Sequence, residues 1–215
     1  MDFDTFIQST ANLQNIKLPS LKSHQKMAPS ERIAELLETD FSTITYREAA
    51  VLILFYPKND QTHLVLIERN EYKGIHSKQI SLPGGKKESF DKDLQATALR
   101  ETFEEVGVDK VKVLSSLSSV YVPPSNFMVF PFMGTISTEI TFKPDVREVR
   151  NVIEVPLSTL LNPNIIKHQE MSTSYAKMVN VPYYEIDDYV VWGATAMILS
   201  ELIDLVNLAL NNRNL

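Results

Sequence analysis

The chain has 215 residues, 44% hydrophobic and 22% charged, which is enough apolar mass for one substantial core at an ordinary charge density. Its formal net charge of −6 gives no general attraction to nucleic acid or anionic membranes, so an anionic substrate would need a local cationic site or a metal ion. It has no cysteine, which excludes disulfides, thiolate chemistry and cysteine-ligated zinc, and fits a reducing compartment with the cytoplasm as the expected location.

The opening residues, MDFDTFIQST, lack the basic-then-apolar order of a secretory signal. The longest apolar run, Ala49 to Tyr56, falls far short of the roughly 20 residues that span a bilayer. Residues 2–15 are expected to be helical, with Phe3, Phe6, Ile7 and Leu13 as contacts. A proline-punctuated polar stretch follows, and Ser30 is placed to cap a short helix over Glu31–Leu37. Residues 1–44 are thus read as a helical extension packing on a main domain of residues 45–215.

REAAVLILFY suits a buried strand, and NDQT turns the chain into a second strand, HLVLIER. Further strands are expected over Val111–Tyr121 and over FMVFPFMGTI, with Pro131 at an edge or a bulge. VIEVPL is short and extended, and Ser158–Leu161 starts a helical turn. IIKHQEMST and KMVNVPYYEI form another strand pair. The chain closes on an amphipathic helix with apolar residues at 197, 198, 202, 205, 206 and 209. Strands interrupted by a few helices imply an α/β fold, a mixed sheet with helices on its faces.

The segment RETFEEVG places Glu101, Glu104 and Glu105 in five residues. On a helix over Leu94–Val106, capped by Asp91 or Asp93 and ended by Gly107, the three carboxylates fall within roughly 100° of one another. Ala96, Leu99, Phe103 and Val106 gather opposite, which predicts an apolar side on the sheet and carboxylates projecting away from it. Like charges at these spacings cost about 0.2–0.5 kcal/mol per pair, and Arg100 can offset this by pairing with Glu104. A solvated helix face is the ordinary reading of such a cluster. The preceding loop shifts it: two of the chain's six glycines, Gly84 and Gly85, follow Pro83 and permit a close backbone approach to a ligand. A glycine loop feeding a helix of clustered carboxylates matches what Mg²⁺ requires, hard oxygen ligands with room for water.

This stretch resembles the Nudix box: glycine, five residues, glutamate, seven residues, then Arg-Glu-apolar-any-Glu-Glu-any-Gly-apolar. Residues 100–108 fit its second half, with Thr102 alone departing, in an apolar slot. Counted from Gly85, Asp91 takes the early glutamate slot, and one extra residue precedes Arg100. The flanking VLIERNEYKGIHSKQISLPGG is similar to the signature of the coenzyme A pyrophosphatase branch, in register from Arg69 to Gly85. Gly74 stands where that branch has a second arginine and Lys78 where it has a glycine; Lys73 and Lys78 are the nearby cations available to substitute. TALRET, YVPPSNFMVFPFMG and VWGATAMIL also look like this branch, so the resemblance covers roughly residues 45–205.

The resemblance implies an α/β/α sandwich and hydrolysis of a diphosphate linkage with Mg²⁺ or Mn²⁺. For coenzyme A the products would be 3′,5′-ADP and 4′-phosphopantetheine. It implies Glu101 and Glu105 as primary metal ligands, Glu104 as a further ligand or an aid to water activation, a carbonyl of Gly84 or Gly85 near the metal, and Arg100 orienting the glutamates. The general base stays open. Another nucleoside diphosphate derivative, such as ADP-ribose or a dinucleotide, is the alternative substrate, and a non-catalytic nucleotide sensor the alternative class. The partner is a small molecule, neither nucleic acid nor membrane. The sequence leaves open whether the extension closes the cleft or supports a homodimer.

Among the remaining candidates, Arg69 ends a buried strand and faces either a phosphate or a surface ion pair. Gln79 and Ser81 alternate with Ile80 and Leu82, which gives a polar strand face for the cleft. His76 reads as an exposed loop histidine or a substrate contact. Trp192, Tyr183 and Tyr184 read as packing rather than as a stacking platform, and Met171 and Met178 as fillers. His24 and His168 have no partner at metal-ligand spacing.

Overall fold

A computed structural model describes residues 1–11, 13, 16–70, 79–172 and 178–211. The chain begins with three helices: α1 (Phe3–Thr10), α2 (Leu21–His24) and α3 (Ser30–Glu38). Asp2 caps α1 by accepting from the Thr5 amide at 2.8 Å, and the helix stops well short of residue 15. Pro29, not Ser30, occupies the N-cap of α3; Ser30 is already helical, and the Pro29 carbonyl accepts from the Arg32 and Ile33 amides at 3.0 Å.

Strands β1 (Arg47–Lys58) and β2 (Gln61–Arg69) form the expected hairpin. Its two turn residues, Asn59 and Asp60, have φ of 49° and 59°, the left-handed pair that matches strand twist. After β3 (Ile80–Ser81) and β4 (Gly84–Lys86) the chain enters α4 (Leu94–Val106). Then follow β5 (Lys112–Ser116), β6 (Val120–Val122), β7 (Phe127–Thr135) and β8 (Val149–Pro156). The expected strand over Val111–Tyr121 is therefore two strands, interrupted at Leu117–Ser119.

The interruption explains Pro131. It does not lie on an edge strand, since β7 is interior, parallel to β1 on one side and antiparallel to β5 and β6 on the other; it faces a bulge-like irregularity, where Leu117–Ser119 stand opposite Phe130 and Pro131. The Pro131 carbonyl accepts from the Leu117 amide at 3.0 Å, in the gap between β6 and β5. A strand residue turns its N–H and C=O to the same side, so the missing donor faces the break rather than a continuous ladder.

Strands β1 to β8 make one mixed sheet. A turn of helix, α5 (Leu157–Leu160), leads to a second, three-stranded sheet of β9 (Ile166–Met171), β10 (Val179–Ile186) and β11 (Tyr189–Val191), and α6 (Gly193–Asn211) closes the chain. By length and composition alone α6 could cross a bilayer, but Met197, Ile198, Leu202, Leu205, Val206 and Ala209 are buried in the core.

The unbroken apolar run of β1 reflects burial on both faces. Ile53 and Phe55 point into a core shared with α1 and α6, while Ala50, Leu52, Leu54 and Tyr56 point into a second core against α4. The architecture is an α/β/α sandwich with α4 on one face of the mixed sheet and α6 with α1 on the other. Phe6 is fully buried, its ring 4.5 Å from that of Phe55, so the N-terminal segment shares a core with the central strand. Phe6→Ala should accordingly cost about 3–5 kcal/mol of unfolding free energy in a urea titration, as a core aromatic does, rather than the few tenths of a loosely docked segment.

Candidate active site

The residues around α4 divide differently from the expectation. Asp93 caps the helix by accepting from the Ala96 amide at 2.7 Å, and Gly107 ends it with φ of 73°. Rotated about its axis, however, α4 buries Thr97, Ala98, Thr102, Glu105 and Val106 and leaves Phe103 55% exposed. Glu105 therefore points inward, and Phe103 points out. The cause is polar: β4 lies across this face and supplies one donor to the buried carboxylate, and the end of β2 supplies another. Thr102, the departure from the family pattern, is also buried, its hydroxyl donating to the Ala98 carbonyl at 2.7 Å.

Glu105 is 1% exposed. One carboxylate oxygen accepts from the Gly84 amide at 2.8 Å, and the other pairs with Nη1 of Arg69 at 2.9 Å. Burial pushes its pKa up to about 7, against the pull of Arg69 and the Gly84 amide. Gly84 can donate because β4 presses against β1: a Cβ there would lie 2.3 Å from the Ala50 carbonyl oxygen, and its φ is 152°. Gly85 makes room of another kind, since a Cβ on it would sit 2.5 Å from the Glu101 carboxylate.

Arg100 holds the remaining acids. Its Nε and Nη2 grip both oxygens of Asp91 at 2.9 Å, its Nη1 reaches Glu101 at 2.8 Å and Glu104 at 2.9 Å, and Nη2 donates to the Lys86 carbonyl at 3.1 Å. This bidentate grip holds the Asp91 carboxyl far below the usual carboxylate range. Burial raises the Glu101 pKa, with Arg100 opposing. Asp91 in the early glutamate slot thus serves as the anchor for Arg100. Glu104 lies on the outer side of the helix, its side chain 55% exposed, and does not share the inward pocket of Glu105.

One further acid escaped the sequence reading. Glu148 is exposed, yet its charge bears on both Glu101 and Glu105. Its loop is tied to the end of α4 by the Asp145 amide donating to the Glu105 carbonyl at 3.1 Å, and to the end of β2 by the Asn70 amide donating to the Glu148 carbonyl at 2.7 Å. In sequence it sits in DVREVR, which has the look of a solvated charge run, and no local signal singles it out.

Arg69, Gln79, Ser81, Gly84 and Gly85 all line one cavity of about 570 Å³. The rest of its lining is largely apolar and includes Phe127 and Trp192. The single tryptophan is thus a cavity residue rather than core packing, while Tyr184 is buried in the core. Met178 is 64% exposed and fills no gap. Lys73, Gly74, His76 and Lys78 lie outside the described residues. His24, without an apparent partner in the sequence, meets Glu201 at 3.2 Å in the interior.

The donor set suits a hard divalent cation. Among the described residues no group of three His, Cys, Asp or Glu side chains closes on a common point; Glu101 and Glu105 are the pair of acids set against the glycine strand. A buried carboxylate whose burial disfavours its charge, beside a second acid accommodated by a missing Cβ, is a place where added positive charge is stabilising.

Residues 46–176 match the family model of the NUDIX domain. The chain is 32% identical over 158 residues to an uncharacterized Nudix hydrolase, NudL, of Photorhabdus laumondii, covering 73% of this chain and 83% of that protein. It is 33% identical over 162 residues to Nudix hydrolase 15, mitochondrial, of Arabidopsis thaliana, spanning 71% of this chain but only 56% of that longer protein. The crystal structure of a MutT/nudix family protein from Enterococcus faecalis shares the fold, with a TM-score of 0.54 at 14% identity over 89% of this chain and 76% of that one. An arginine-clamped glutamate helix under a glycine strand, in a chain that matches the family over most of its length, makes this protein a member of the Nudix family, a hydrolase of pyrophosphate bonds.

Proposed function

We propose that this protein hydrolyses the diphosphate linkage of coenzyme A or a derivative to 3′,5′-ADP and 4′-phosphopantetheine, as a cytoplasmic enzyme using Mg²⁺ or Mn²⁺. The observation that carries the reading is the placement of Glu105 and Glu101 against Gly84 and Gly85, at one end of a cavity large enough for part of such a substrate. The coenzyme A branch signature between Arg69 and Gly85 supports the substrate. Hydrolases of this family work with divalent metal ions; here Glu101 and Glu105 would hold the ion, with Glu104 as a further ligand or an aid to water activation. Such an ion supplies neutralisation of the diphosphate and a more acidic bound water.

The chain's own groups divide the remaining work. Arg69 and the Gly84 amide keep Glu105 in one orientation, and Arg100 does the same for Glu101. The guanidinium of Arg69, at the cavity wall, has further N–H donors with which to meet a phosphate oxygen. The apolar wall excludes water from one side of the bound substrate.

A second reading has its own support. The only basic residues among the described cavity lining are Arg69 and Lys86, and both already pair with glutamates. With Gly74 standing where the coenzyme A branch has its second arginine, ADP-ribose or a dinucleotide is the alternative substrate.

The test is a panel of coenzyme A, acetyl-coenzyme A, ADP-ribose and a diadenosine polyphosphate with Mg²⁺, products resolved by chromatography. Coenzyme A compounds should have the highest kcat/KM; a faster ADP-ribose reaction would transfer the assignment to the second reading, and binding without turnover of any would point to a sensor. Chelation with EDTA should abolish turnover, and Mg²⁺ or Mn²⁺ should restore it.

Glu105→Gln should lower kcat at least about a hundredfold. The same variant has a stability signature. In the metal-free wild type the folded-state pKa is raised, from the ordinary 4.5 to about 7, so the native state binds the extra proton across that interval. The contribution of Glu105 is fully present below the lower value and is lost as pH rises through the upper one, up to about 3 kcal/mol. Metal-free wild type should therefore lose Tm relative to Glu105→Gln over that interval, and Mg²⁺ should recover it in the wild type alone.

A further inference from the structure

Arg32 is a buried cation with no part in the chemistry above. It lies in α3, before the residues that match the family domain, and is 3% exposed. A guanidinium at such a position is costly unless fully engaged, and an apolar residue of similar size would pack there at less cost. Its Nη1 pairs with Glu35 at 2.6 Å, and its Nη2 donates to the backbone carbonyl of Tyr121 in β6. The guanidinium also sits 6.0 Å from the Tyr121 ring centre, while Phe41 meets the same ring edge-on at 5.6 Å.

Tyr121 opens the segment that forms one wall of the cavity: Val122, Pro124, Ser125 and Phe127 all line it. That segment is short and internally stiff. Two prolines restrict it, the Tyr121 hydroxyl donates to the Asn126 side chain at 2.9 Å, and the Asn126 amide donates to the Pro123 carbonyl at 3.0 Å. A stiff wall moves as a unit, so its position depends on what grips its ends. At the far end the Asn126 side chain donates to the Thr45 carbonyl at 3.2 Å, and Arg47 stacks over Phe127 at 4.2 Å. At the near end of β6, Ser118 donates through its amide and hydroxyl to buried Glu201, which also takes the Ser20 amide at 2.8 Å and meets His24. Four of these grips, at Ser20, His24, Arg32 and Thr45, come from the segment ahead of β1.

We propose that the N-terminal segment, through Arg32 on the Tyr121 carbonyl, is a positioning device for the substrate-pocket wall, and that Arg32 thereby sets how tightly the pocket takes the group attached to the diphosphate. The proposal rests on the reading that this cavity binds substrate. It leaves the carboxylate site untouched, so its effect falls on binding and selectivity rather than on the chemical step.

The single tryptophan, Trp192, lines the same cavity, which gives a direct optical probe. Coenzyme A and ADP-ribose are titrated in EDTA against wild type, Arg32→Leu, Arg32→Lys and Tyr121→Phe, and Trp192 quenching is followed; kcat and KM are then measured with Mg²⁺. Arg32→Leu should raise Kd and KM for the better ligand about tenfold while kcat stays within about twofold. Arg32→Lys should recover part of the loss, since an ammonium can still donate to the carbonyl. Tyr121→Phe, which removes the hydroxyl bond to Asn126 that stiffens the wall, should shift KM in the same direction. Unchanged Kd and KM overturn the proposal, and so does a fall in kcat at constant KM. If Arg32→Leu does not fold, the lysine and phenylalanine variants decide by the same criteria. Wild type that shows no quenching and no turnover with either compound overturns the substrate reading itself; wild-type binding with indifferent variants overturns only the brace.

Discussion

The Glu105 carboxylate, buried between the Gly84 amide and the Arg69 guanidinium, is the constraint on which the rest of the site depends. It ties α4 to β4 and to the end of β2 and fixes the rotation of the helix. A buried acid with only these partners is held at the edge of ionisation. Under the proposed metal role of Glu105, the stability forgone in the metal-free state would be the counterpart of affinity in the loaded one.

Around that contact the fold supplies rigidity in layers. The two faces of β1 feed separate cores, so α4 and α6 are held from opposite sides of one strand. The acids of α4 are kept in place by Arg100, which draws on Asp91 before the helix and on the Lys86 carbonyl of β4. The cavity is enclosed from the other direction by residues next to β6 and by the start of α6. Arg69, Gly84 and Gly85 serve carboxylates and pocket alike, while the wall beside β6 is held by contacts that do not touch the carboxylates.

Much of this was legible in the order of residues. The run from Arg47 to Lys58, the hairpin turn, the caps of α4 and the buried stripe of α6 follow from periodicity and local hydrogen bonding, which a linear sequence carries. The spacing of Arg100, Glu101, Glu104 and Glu105 identified the family. The helix face was misjudged for a reason: the rule that charge faces water fails when a carboxylate finds an amide and an arginine inside. Pro131 marked an irregularity in the pairing, but that it lies in the neighbouring strand, between β6 and β5, is invisible from the strand that carries the proline.

By itself, then, the sequence determined which elements form, which helix carries the acids and which chemistry those acids belong to, because backbone propensity, apolar period and ligand spacing are properties of neighbours along the chain. Only the tertiary structure decided that Glu105 turns inward while Glu104 does not, that Glu148 approaches from a distant loop, that Trp192 lines the cavity and that Arg32 grips its wall. Each of these depends on partners tens of residues away, and burial, which sets both the cost of a charge and the value of its partner, exists only once those partners have met.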